Sequence, residues 1–260
     1  MKKIAEITNN LINNIKDYYD KNNAKGAIIG LSGGKDSSVV ASILVKALGK
    51  ENVIGLWLPC LSSEEDKKDA YEVAKTLGIR IIEHDLEQVY EEIVLNVIKN
   101  ENIQDNKLLL NANINLKPRL RTNILYYYAA YFTALHNKLY LVCGTSNKSE
   151  RYVGYYTKGG DNVCDIAPIR ELYVDEVISV GEYLGIIPKH ILYKTPNDGL
   201  SGMSDEEKLG FTYSDVKKVS EEDETKIKDD TIDEDIRKKI LLMHQRNLHK
   251  EIIPDLIGDK

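Results

Sequence analysis

Apolar residues in the first third of the chain follow two rhythms. Ile4, Ile7, Leu11, Ile15, Tyr18 and Tyr19 recur at helical spacing, which predicts an amphipathic helix over 3–22 closed by Asn22-Asn23. The continuous run Ala27-Ile28-Ile29 predicts a buried strand at 27–31. A periodic run from Val39 predicts a helix to Leu48 with Gly49 as its C-cap. A second strand is expected at 53–58, stopped by Pro59. A helix over 64–77 follows, capped by Ser62-Ser63 and closed by Gly78, then a third strand at 79–82. Strands alternating with helices imply a parallel sheet with right-handed crossovers. Such sheets bind ligands beyond the carboxyl ends of their strands. The glycine-rich turn at 30–38, the segment 59–63 and His84-Asp85 all fall at such ends.

The later pattern is less regular. Residues 86–98 read as an amphipathic helix, and the polar, Asn-rich stretch 100–115 as a loop. A long helix at 119–136 carries Leu120, Ile124, Leu125, Tyr128, Phe132 and Leu135 on more than one face. That places it in the core or in a dimer interface. Its tyrosines are assigned to packing ahead of ligand stacking. A fourth strand at 139–143 runs into Gly144-Thr145-Ser146-Asn147-Lys148-Ser149-Glu150, again polar at a carboxyl end. Residues 151–165 read as a Gly- and aromatic-rich loop of the kind that closes over ligands. Helices are expected at 173–184, 213–219 and 234–249, with a short turn or helix at 188–193. A mobile lid is expected at 196–210 and a solvated, flexible acidic run at 220–235. There is no internal repeat and no second hydrophobic domain, so the 260 residues predict one α/β domain.

Composition narrows the class. Hydrophobic residues make up 42% and charged residues 29%, the balance of a globular chain with a substantial core. The net charge of −6 argues against a nucleic-acid-binding surface. No run reaches transmembrane length and the N-terminus has no signal-peptide core, so no membrane association and a cytoplasmic location are expected. Cys60, Cys143 and Cys164 form no C-x-x-C pair. They read as small buried thiols, Cys60 being the one candidate for a catalytic thiol.

The chemistry concentrates in Gly30-Leu31-Ser32-Gly33-Gly34-Lys35-Asp36-Ser37-Ser38. Paired glycines let backbone N–H groups approach a phosphate, and the helix N-terminus behind them favours an anion. Ser32, Ser37 and Ser38 add hydroxyl donors. Asp36 would repel the phosphate unless a divalent cation bridges the two. Lys35 is followed by Asp36, so the string is not a Walker A loop. The alternative is a strand–turn–helix corner with an Asp helix cap; the rarity of the packed Ser-Gly-Gly-x-Asp-Ser string favours the phosphate. In the later polar string, Thr145 is a candidate ligand contact and Glu150 a candidate second carboxylate for the cation. The alternative there is a surface helix capped by Ser146 with Ser149-Glu150. Arg119 and Arg121 lie two residues apart and point to different faces, one available to an anion and the other structural.

Ser32-Gly33-Gly34-Lys35-Asp36-Ser37 resembles the pyrophosphate-binding loop of the N-type ATP pyrophosphatases. Lys117-Pro118-Arg119-Leu120-Arg121, the string from Gly144 to Glu150, and Gly154-Tyr155-Tyr156-Thr157-Lys158-Gly159-Gly160-Asp161 select the NAD synthetases among them. Asp205-Glu206-Glu207-Lys208-Leu209-Gly210 and His249-Lys250 continue the match in order, over nearly the whole chain. The resemblance implies a three-layer sandwich around a parallel, doubly wound sheet of the adenine-nucleotide alpha hydrolase-like type, assembled as a homodimer. It implies an enzyme that adenylates the nicotinate carboxylate of deamido-NAD with ATP and lets ammonia displace AMP. Asp36 and Glu150 match the magnesium carboxylates and, with Lys158, the catalytic set. The glycine turn from Gly30 to Ser38 matches the ATP site, with Thr145 and Asn197. Arg119, Lys158, Asp165, His249 and Lys250 match positions that hold the dinucleotide.

The sequence departs from the family at two places. Val174 stands where many relatives carry a phosphate-contacting lysine, leaving Lys35, Lys148 or Lys158 to compensate. In the lid, Asn197-Asp198 replace Ser-Ala and the usual Trp is absent. The chain is too short to hold a glutaminase as well, which implies the ammonia-dependent form unless a separate amidotransferase subunit supplies ammonia. A pyrophosphatase acting on another carboxylate or a tRNA base is the second reading; the net charge and lone cysteines count against the tRNA version. A non-catalytic nucleotide-binding module is the third, opposed by the presence of both Asp36 and Glu150.

Overall fold

A computed structural model describes residues 2–195 and 204–251. Four strands form one parallel sheet: β1 (Ala24–Gly30), β2 (Val53–Trp57), β3 (Arg80–Glu83) and β4 (Leu139–Cys143), in the order β3-β2-β1-β4. Each side chain along β1 takes the opposite face from the last. Ala27 and Ile29 face a layer made by α1 (Lys2–Lys21), α2 (Lys35–Leu48), α3 (Glu64–Leu77), α7 (Val174–Leu184) and α8 (Lys189–Leu192). Ile28, with Ile54, Leu56 and Val142, faces α4 (Glu87–Glu101) and α5 (Leu110–His136). A strand covered on both faces needs a continuous apolar run, which is why 27–29 shows no polar alternation. Each such side chain, buried completely, contributes roughly 1.5–3 kcal/mol. The expected three-layer α/β arrangement is therefore present.

From β1 the chain crosses to β2 and β3 on one side, then returns to β4 on the other. The reversal lies at the carboxyl ends of β1 and β4, where doubly wound sheets open a crevice. The pairing of β1 with β4 is irregular between Ala24 and Gly26. A Cβ on Gly26 would lie 2.0 Å from the Tyr140 ring, so glycine makes room for that ring. Beyond β4 the edge continues, because Gly144 N–H donates to the Ile166 carbonyl at 2.8 Å and Asp165 N–H to the Val142 carbonyl at 2.9 Å.

Several expected boundaries are corrected. Residues 100–115 are not a loop: α4 runs to Glu101, a 3-10 turn covers Asn106–Leu109, and α5 starts at Leu110. Pro118 looked like a helix start, yet it lies inside α5, where it forgoes one backbone hydrogen bond. Leu109 and Leu116 pack inward and hold this first part of the helix despite its asparagines.

A third apolar cluster joins α6 (Lys148–Val153), α9 (Asp205–Leu209), α10 (Tyr213–Thr225) and α11 (Glu234–Asn247) through Val153, Leu209, Phe211, Val216 and Ile240. Helix α10 continues past the expected end at 219. Within the acidic run, Glu222 accepts from Arg237 Nε at 3.0 Å and from Nη2 at 2.9 Å, and Arg237 Nη2 also reaches the Asp229 carbonyl.

Candidate active site

The glycine turn is built by its own side chains. Ser37 Oγ donates to the Gly34 carbonyl at 3.1 Å and accepts the Ser32 N–H at 3.2 Å. Ser38 Oγ donates to the same carbonyl at 2.7 Å. These two hydroxyls, expected to face a ligand, shape the turn instead. Gly33 has a φ of +79°, and a Cβ on it would lie 2.4 Å from the Asp66 carbonyl oxygen. Handedness and the close approach of α3 both demand glycine here. Gly34 precedes α2, whose first residues Lys35, Asp36 and Ser37 line the crevice with the positive end of the helix dipole.

Two carboxylates converge on this turn. Asp36 pairs with Lys35 at 3.2 Å and accepts from Asn147 Nδ2 at 3.3 Å. Asn147 also caps α6: its Oδ1 accepts the Glu150 N–H at 3.0 Å, while Glu150 Oε2 accepts the Asn147 N–H at 3.3 Å. The cap is Asn147, not Ser146, and the capping reading and the carboxylate-pair reading describe one arrangement. Burial, and then the charge of Asp36, hold the Glu150 carboxyl well above the usual carboxylate range, against the opposing pull of Lys35. Buried Asp205 adds a further negative charge, with the Tyr155 and Tyr213 hydroxyls each donating to it at 3.4 Å. Carboxylate oxygens gathered this closely suit a hard divalent cation such as Mg2+.

A cavity of about 740 Å³ opens over the turn, Asp36 and Glu150, bounded by the carboxyl ends of β1, β2 and β4. Its size fits a nucleotide-scale ligand. Thr145 lies on its wall, as do Arg121, Lys194, Asp205 and Lys250. Arg121 is the structural one of the arginine pair. Its Nε donates to the Leu58 carbonyl at 3.0 Å and Nη2 to Ser62 Oγ at 3.3 Å, and burial lowers its pKa. Lys250 donates to the carbonyls of Gly154 at 2.6 Å and Tyr156 at 2.9 Å.

Arg119, Lys158 and His249 form a separate exposed chain: Arg119 Nε donates to the Lys158 carbonyl at 3.2 Å, and Lys158 Nζ to the His249 carbonyl at 2.6 Å. Asp165 accepts the Val142 N–H at 2.7 Å and the Tyr126 hydroxyl at 3.2 Å, which fastens it to the end of β4. Asn197 and the lid positions 196–203 lie outside the described residues; 204–210 hold α9 and its capping box on Ser204. Val174 begins α7, receives no charge and packs against the third cluster. Of the three lysines expected to compensate for it, Lys35 lines the cavity. Lys148 pairs with Glu224 at 2.6 Å and Lys158 is turned to His249. Cys60 and Cys143 are buried and their thiol pKa values are raised by burial, which fits packing and not nucleophilic use. Sequence reasoning missed Asp205 and Lys194. Asp205 lay in a quoted string but was given no role, and Lys194 stands in a stretch with no periodicity or motif.

Comparison with known proteins agrees with this geometry. The family model NAD synthase matches residues 7–254. An NH(3)-dependent NAD(+) synthetase of Methanococcus aeolicus is 44% identical over 216 residues, covering 82% of this chain and 81% of that protein. Among solved structures, NMN synthetase from Francisella tularensis superposes with a TM-score of 0.81 at 31% identity, over 96% of this chain and 97% of that one. The NH3-dependent NAD synthetase from Campylobacter jejuni superposes with a TM-score of 0.76 at 27% identity, over 98% and 99%. A glycine turn that carries Asp36 beside Glu150 at the carboxyl end of a doubly wound sheet, a family model spanning almost the whole sequence, and a relative of this identity together place the chain in the NAD synthase family.

Proposed function

We propose that the protein catalyses the ATP-dependent amidation of deamido-NAD by ammonia, releasing AMP and pyrophosphate. The observation that carries this reading is the glycine turn, with its own Asp36, set against Glu150 in one crevice. Attack of the nicotinate carboxylate on the α-phosphorus of ATP expels pyrophosphate. Stabilisation must therefore fall on the β- and γ-phosphates, which the N–H groups of the turn and of the start of α2 would meet. Asp36 and Glu150 would hold Mg2+, which when bound supplies positive charge against the polyphosphate. Thr145 and Asn197 would contact ATP. Arg119, Lys158, Asp165, His249 and Lys250 would hold the dinucleotide from the exposed side. No side-chain nucleophile is needed, so positioning carries the reaction.

We infer a homodimer joined through α4 and α5. Their outer faces expose Leu95 at 63%, Tyr127 at 64% and Leu135 at 56%, an apolar strip that a second copy would cover. Three free cysteines fit the reducing cytoplasm. Among the described residues no helix is long and apolar enough to cross a membrane.

The test is incubation with ATP, Mg2+, ammonium and deamido-NAD, with AMP and the amide product both measured. Equal amounts of both are expected; AMP without amide refutes the reading. The likeness to an NMN synthetase adds a second acceptor to the assay, the mononucleotide acid. A kcat/KM higher for the mononucleotide would reassign the substrate.

A further inference from the structure

The wall of the cavity beside the glycine turn carries an unexplained lysine. Lys194 is partly buried and lines the same cavity as Ser32, Gly34 and Asp66. Its ammonium donates to Asp66 Oδ1 at 2.9 Å and to Asp69 Oδ2 at 2.5 Å. Glu65 stands at 3.8 Å, past hydrogen-bond length, so among the described residues the third N–H meets no acceptor. Burial opposes its charge, but the bonds to Asp69 and Asp66 outweigh this and raise its pKa, so it is a cation at neutral pH.

Asp66 is also the residue whose backbone carbonyl lies beneath Gly33. The first turn of α3 and the glycine turn are thus in van der Waals contact, and the Lys194 ammonium sits over that junction. The other cations lining the cavity are engaged elsewhere: Lys35 with Asp36, Arg121 with the Leu58 carbonyl, Lys250 with two carbonyls near Gly154, and Lys117 over the Tyr90 ring at 5.5 Å. Backbone N–H groups bring partial charges only, and the carboxylate of Asp66 would repel an anion entering the turn.

We propose that Lys194 is a phosphate-contacting residue, its ammonium meeting the terminal phosphates of ATP from the α3 side of the glycine turn while shielding them from Asp66. This inference rests on the reading of the turn as an ATP site. It gives the cation that position 174 does not supply.

The test compares the wild-type protein with Lys194→Met, Lys194→Arg and the double variant Lys194→Met/Asp69→Asn. Binding of Mg-ATP is measured by calorimetry, and KM and kcat for ATP and for deamido-NAD by turnover. Loss of one charge-assisted contact should weaken ATP by about tenfold or more and raise its KM alike. The KM for deamido-NAD should stay within about twofold, and Lys194→Arg should restore most of the ATP affinity. The double variant removes the buried charge that Lys194→Met would strand, so it isolates the phosphate role from a folding defect. A double variant that binds ATP as tightly as wild type overturns the proposal, as does an equal loss for both substrates. A wild-type protein that binds no ATP overturns the ATP-site reading itself, and is thereby told apart from failure of the lysine assignment.

Discussion

The cavity has two unlike walls. The sheet side, with the glycine turn, is held by apolar burial. Ile28, Ile29, Val39 and Leu56 are each fully buried, and the turn's hydroxyls bond only to the turn. The helical side, which brings Glu150, Asp205 and Lys250, is held to a greater extent by polar bonds. Arg237 gathers Glu222, Glu234 and the Asp229 carbonyl, and Glu251 accepts from Arg151, from Arg170 at 3.0 Å and from the Tyr156 hydroxyl at 2.5 Å. Apolar burial is indifferent to pH and salt, whereas a wall held partly by carboxylate–guanidinium bonds depends on the ionisation of its carboxylates. The difference teaches that the phosphate cradle is held by contacts that ignore pH, while the wall carrying Glu150 and Asp205 is held in part by charges that do not.

The sharpest test of that contrast is Asp36→Asn. It touches the meeting point of the walls and should lower kcat by about a thousandfold or more while leaving the thermal midpoint nearly unchanged. Steady-state AMP release and a melting curve check both halves. Gly33→Ala comes next. The positive φ and the 2.4 Å approach of the Asp66 carbonyl should cost about 1–3 kcal/mol in urea unfolding and raise the KM for ATP about tenfold. Full stability with normal KM would mean the turn is not the rigid wall.

On the helical side, Glu222→Gln should act through pH. The hydrogen bonds from Arg237 lower the Glu222 pKa below its ordinary value. A depressed carboxylate contributes stability above its unfolded pKa and loses it as pH falls through the folded one. The variant should therefore melt lower than wild type at pH 7, and the two curves should converge as the solution is taken below pH 4. Parallel curves throughout would deny the ion pair its part. The smallest effect is expected for Glu251→Gln, which loosens the fastening of Lys250 without removing an assigned ligand contact. The KM for deamido-NAD should rise severalfold with kcat held within about twofold.

Much of the sheet side was legible because its signals are local. A continuous apolar run, a glycine pair and a periodic helix each declare themselves within ten or so residues, and all four strands fall where the apolar runs predict them. The start of α5 was not, because inward Leu109 and Leu116 outweigh the asparagines around them and Pro118 mimics a helix start. The helical side was read in fragments. The link from Asn147 to Asp36 spans 111 residues, and that from Lys194 to Asp66 spans 128. No periodicity encodes such meetings. Glu150 emerged from its motif, whereas Lys194, outside any motif, became visible only through its neighbours.

The irregular pairing of β1 with β4 bears on the order of assembly. Residues 24 and 139 must find one another across α2 to α5, and Tyr140 must settle over Gly26 for the register to close. Contacts of such long sequence separation form slowly, after the loops between them have been ordered. The phosphate cradle can take shape as soon as β1, β2 and α2 meet. The carboxylate facing it, carried on α6 just beyond β4, arrives with the last strand. Nucleotide present during refolding should thus leave the early phases untouched and draw the final one forward, making the ligand a late participant in the protein's own folding.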